Sequence, residues 1–164
     1  MPAEPDALLT RAEAALAQAK VARRSGDDGL ASYYYAHSLE WCETVEGRLG
    51  SAWAIAAGGD VLRAAEECRK ACAVDPADGR ASNDLGAYLS QLGEDAEALP
   101  CFEHAVDAPK NAERQFAHYN LARLHERRGD LIQAEFSFAA ALALDPGFDA
   151  AAKALERVRR KQQA

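Results

Sequence analysis

The chain has 164 residues, 49% of them apolar, and carries a net charge of −7 at neutral pH. That is enough apolar side chain for one extended core in one domain. It is too acidic for general nucleic-acid binding, which needs a basic face to neutralise phosphate. No run of 18 apolar residues occurs, so no membrane span is expected. The opening Met-Pro-Ala-Glu-Pro-Asp lacks a basic segment followed by an apolar stretch. No secretion signal is therefore expected, and the cytoplasm is the default.

Residues 5–24 form an alanine-rich helical stretch, broken by Ser25-Gly26-Asp27-Asp28-Gly29, and residues 30–45 read as helix again. From there a pattern recurs. Gly59 and Gly93 are 34 residues apart, and Gly129 follows after the same period plus a two-residue insertion. At matching offsets come Ala64, Ala98 and Ala134, then Cys68, Phe102 and Phe138, then Ala71, Ala105 and Ala141. Asp75-Pro76 and Asp145-Pro146 close the first and third of these repeats, because proline cannot continue a helix and biases the preceding residue out of it. Self-similarity at this period predicts stacked helix pairs. Small residues mark where backbones cross, as at Gly86, Ala98, Ala122 and Ala134, and large ones fill the holes between, as at Leu85, Phe102, Leu121 and Phe138. Pro100, inside the second helix of the middle repeat, is expected to kink it. Beyond Asp149 a helix places Ala151, Leu155 and Val158 on one face and Lys153, Glu156, Arg157, Arg159 and Arg160 on the other, the pattern of a cap.

Leu85-Gly86-Ala87-Tyr88 and Leu121-Ala122-Arg123-Leu124, with the Ala, Phe, Ala and Pro positions above, resemble the tetratricopeptide repeat family. The resemblance implies an all-α, right-handed α-solenoid of antiparallel helix pairs with a C-terminal capping helix. Repeats are placed at residues 45–78, 79–112 and 115–148, with a degenerate hairpin at 5–44 and the cap at 149–163. Ala31, Tyr35 and Ser38 stand at the family's Ala, Phe and Ala positions, which is why 5–44 reads as a degenerate repeat. The first repeat departs from the pattern, with Ser51-Ala52 in place of Leu-Gly.

Catalytic and metal chemistry find no motif. His37, His104, His118 and His125 are scattered over different helices, His104 outward and His125 at a packed position. No serine-nucleophile motif, phosphate loop or acidic metal cluster occurs. Cys68 and Cys72 share a helix, yet Cys68 takes the core position of Phe102 and Phe138, so buried reduced thiols are expected. Asp27-Asp28 and Glu94-Asp95 read as helix-start residues. No enzyme activity and no cofactor are expected.

The resemblance instead implies a binding groove lined by the first helix of each repeat. Its inward positions fall on Glu46, Leu49 and Trp53, then on Arg80, Asn83, Asp84, Ala87 and Gln91, and then on Phe116, Tyr119, Asn120, Arg123 and Arg127. The degenerate hairpin adds Lys20, Arg23 and Arg24. Trp53, Arg80, Asn83, Phe116, Tyr119, Asn120, Arg123 and Arg127 are therefore the candidate partner-binding residues. Asn83 and Asn120 suit the backbone of an extended peptide, the three arginines suit carboxylates, and the aromatics are interface anchors. The alternative is that the arginines are solvated helix faces paired with Glu or Asp nearby, as Arg123 and Arg127 beside Glu126 could be, and that the aromatics are core. The expected partner is a protein or peptide, an acidic segment included, with neither nucleic acid nor membrane. Tetratricopeptide domains that grip chaperone C-termini use Lys and Asn where this chain has Leu49 and Trp53, so that clamp is absent. Two other readings remain: self-assembly through Trp53, Tyr33-Tyr34-Tyr35 and Phe136, giving a homo-oligomer, and a plan similar to class II chaperones of bacterial type III secretion.

Overall fold

The computed structural model describes residues 4–163, and among these there are nine α-helices and no strand. They fall into two compact units that divide after Pro76.

The first unit holds α1 (Pro5–Arg24), α2 (Asp28–Trp41), α3 (Val45–Ala57) and α4 (Val61–Val74). Alanine-rich faces let α1 and α2 close on one another, with Leu16, Ala19, Ala22, Ala31 and Tyr35 forming a buried cluster. Each later helix starts at a side-chain cap. Asp27 accepts from the Leu30 amide, Thr44 from Gly47, and Asp60 from Arg63, which satisfies backbone donors that have no partner in the first turn. The expected helix over 30–45 is corrected at both ends. It begins earlier, at the Asp27 cap, and stops at Trp41, because Cys42 turns to an extended conformation (φ −153°, ψ 133°) and Thr44 caps a new helix.

The second unit holds α5 (Gly79–Gln91), α6 (Asp95–Asp107), α7 (Arg114–Arg127), α8 (Leu131–Leu144) and α9 (Asp149–Gln163). Consecutive helices pack as antiparallel pairs, and α5 also packs on α7. At the α5–α6 crossing a Cβ on Gly86 would lie 2.7 Å from Phe102 Cε1, so only glycine permits this approach. The α7–α8–α9 core gathers Ala122, Ala134, Phe138, Ala141, Ala151, Ala154, Leu155 and Val158. α6 runs through Pro100 without interruption. Glu94 precedes α6 but gives it no side-chain cap, contrary to expectation; Asp95 stands in the first turn instead. The corner glycines Gly93 and Gly129 take φ of 82° and 81°, a left-handed turn that favours glycine through its backbone alone, since a Cβ there would meet nothing within 4 Å.

α9 closes the unit as a cap. Its apolar side is buried, while Arg157 and Lys161 reach Glu126 of α7 (2.6 and 2.7 Å) and Arg159 reaches Glu135 of α8 (2.7 Å).

Candidate functional site

In the first unit the inward residues of α1 and α3 meet. Lys20 pairs with Glu46 at 2.7 Å, and the Arg23 guanidinium stands 4.9 Å from the centre of the Trp53 ring. Trp53 is half-buried and meets Tyr35 edge-on, with centroids 6.5 Å apart. Tyr35 is only 3% exposed, so it is a core residue and not a self-association contact; Tyr33 is the exposed member of the tyrosine run.

In the second unit α5 and α7 carry the other seven candidate residues. Asn120 Nδ2 donates to Asn83 Oδ1 (3.0 Å), and Asn83 Nδ2 donates to Asp84 Oδ1 (3.2 Å). Burial pushes the Asp84 carboxyl up to about 6; Glu113 adds to the rise, while the Asn83 bond and Arg80 oppose it. Phe116 remains exposed and meets Phe148 edge-on at 5.3 Å. Tyr119 is half-buried between Phe138 and Phe148, so its ring belongs largely to the core.

The arginines divide into two kinds. Arg80, expected to receive a carboxylate, forms a fork on Asp78 two residues away, with Nε donating at 3.0 Å and Nη2 at 2.6 Å. Arg127 Nη2 donates to Asp95 Oδ1 (2.6 Å) and to Ser90 Oγ (3.2 Å). The Asp95 pair fits the reading of Arg127 as a solvated arginine beside an acid, while Glu126 is engaged by α9 instead. Hydrogen bonds from Arg157, joined by Lys161, hold the Glu126 carboxyl down at about 2. Arg123 makes no hydrogen bond or ion pair among the described residues. Its guanidinium lies 5.8 Å from the Tyr119 ring centre, at the edge of a recess of about 160 Å³. Ala87 supplies apolar surface to this recess, backed by the buried Phe102 ring, and Ser90, Gln91 and Asn120 supply polar groups.

Cys68 is buried, as its core position required, and Cys42, Cys72 and Cys101 are partly buried. His104 is exposed, as expected, yet its Nδ1 lies 2.8 Å from Ser82 Oγ. His125 is 16% exposed, near Asp130. Among the described residues no group of His, Cys, Asp and Glu is arranged to hold a metal, and no helix is long and apolar enough to cross a membrane.

Antiparallel helix pairs with alanine or glycine at their crossings and a capping helix at the end define an α-helical repeat protein. Residues 115–148 match the tetratricopeptide repeat model, and the fold is that of tetratricopeptide-repeat proteins. Among solved structures it is similar to PilF of Pseudomonas aeruginosa (TM-score 0.87, 20% identity, covering 98% of this chain and 72% of that one). It is also similar to PilW, described as a widely conserved type IV pilus biogenesis factor (TM-score 0.83, 22% identity, 91% and 69% covered). A third likeness is to YrrB, described as a TPR protein with an unusual peptide-binding site (TM-score 0.65, 20% identity, 88% and 74% covered). A comparison with curated protein sequences gives no match.

Proposed function

We propose that this chain is a protein-interaction module, not an enzyme, and that the α5–α7 face of its second unit holds an extended segment of a partner protein. One observation carries the reading: this face presents Arg123 with no acceptor among the described residues, beside the Asn120–Asn83 pair and an exposed Phe116. Amide side chains suit a peptide backbone regardless of its sequence, and a guanidinium beside an aromatic ring is a common interface anchor. The likeness to a repeat protein described as having a peptide-binding site supports the same reading.

Arg123→Glu combined with Phe116→Ala is expected to reduce partner capture from the native cell extract by about tenfold or more, with the thermal melt of the chain unchanged. Equal capture by this variant rejects the face. Phe116 replaces Tyr119 in this test because removing the Tyr119 ring would open the core beside Phe138.

Self-association is the second reading, and α8 favours it. Ile132 and Phe136, one turn apart, are 75% and 70% exposed. Large apolar side chains left in water on one helix face are a usual sign of an interaction surface.

A further inference from the structure

The recess beside Arg123 has a charge balance that selects among segments. Two guanidinium groups, those of Arg123 and Arg127, line it. Arg127 is neutralised by Asp95 at 2.6 Å, so the recess keeps one uncompensated positive charge, that of Arg123. Ser90 Oγ accepts from Arg127 at 3.2 Å, which leaves the serine's own proton available to an acceptor. The Gln91 amide adds further donors. Ala87 gives the same recess an apolar surface suited to a methylene stem, with the buried Phe102 ring behind it. Donors, one net positive charge and a short apolar wall together describe a receptor for a carboxylate on an aliphatic stalk.

We infer that this recess receives the side-chain carboxylate of an aspartate or glutamate within the bound segment, with Arg123 as the ion-pair partner and Ser90 and Gln91 as hydrogen-bond donors. The inference rests on the reading that the α5–α7 face binds an extended segment. A monoanion matches the single uncompensated charge, whereas a phosphate group brings about −1.5 to −2.

The test is a positional-scanning library of unstructured nine-residue peptides, presented to the full chain and to its Arg123→Gln variant. The bound pool is expected to be enriched in Asp or Glu at one position. The best peptide should lose about tenfold or more in affinity on Arg123→Gln, the scale of a charge-assisted pair. Exchanging the peptide's acid for its amide should cost the same in the wild-type chain and nothing further in the variant. Peptides that bind without acidic preference, or a preference that survives Arg123→Gln, overturn this inference while the binding face stands. Tighter binding by phosphoserine at the selected position overturns the choice of carboxylate. If no peptide binds the wild-type chain, the face and the recess fall together.

Discussion

Asp84 carries a charge at a cost. It lies partly buried on α5, its carboxyl raised to about 6 by loss of water. Between about pH 4 and 6 the folded chain therefore holds a proton that the unfolded chain has already released. The linkage sign follows: this group's contribution is fully present below its unfolded value and is lost as pH rises through about 6. Asp84→Asn removes the charge and keeps an oxygen for the Asn83 amide. It should stabilise the chain by about 1–2 kcal/mol at pH 7.5 and by much less at pH 4, in urea denaturation at the two pH values. An equal effect at both would refute the assignment. The family resemblance alone puts Asp84 among the expected inward positions. It did not reveal the shift, because burial and Glu113, far along the chain, produce it. The arginines show the same limit. The register assigned Arg80, Asn83 and Asn120 to expected inward positions, yet their hydrogen bonds depend on side-chain rotamers and on Asp78 and Asp84, which no spacing rule selects.

Among the helices, the close approaches at Gly86 and Gly50 both depend on glycine, and only the first announced itself. Gly86 follows Leu85 in the repeat pattern and meets Phe102, the large residue of the next helix, so both partners could be read from the period. Gly50 was hidden, because Leu49-Gly50 lies two residues before the register position of Leu85-Gly86, where Ser51-Ala52 stands. In the structure Gly50 of α3 faces Tyr35 of α2, and an added Cβ would fall 2.0 Å from the ring. Gly50→Ala gains about 1 kcal/mol of helix propensity but must displace a buried aromatic ring. A net loss of about 2 kcal/mol is expected from chemical denaturation, larger than for Gly86→Ala, where the closest approach is 2.7 Å. The end of α2 was also illegible. Cys42-Glu43-Thr44 contains neither glycine nor proline, and only the Thr44 bond to the Gly47 amide marks the new helix.

At the scale of the whole molecule, α8 is apolar nearly all the way round, which for a helix on a protein surface calls for a further partner. One side buries Ala134, Phe138 and Ala141, and the other leaves Ile132 and Phe136 in water. If chains associate through this face, sedimentation will show a mass that rises with concentration and returns to that of a monomer on Phe136→Asp. A concentration-independent monomer in the unaltered chain excludes the self-association reading. The second unit thus offers two chemically distinct faces, one polar and cationic at Arg123, the other greasy along α8. The first has a kinetic corollary. A chain with a net charge of −7 repels an acidic segment at long range, although Arg123 attracts its carboxylate on contact. Added salt would then speed encounter and shorten residence at once, so that equilibrium affinity conceals two opposing trends that only separate on- and off-rates disclose.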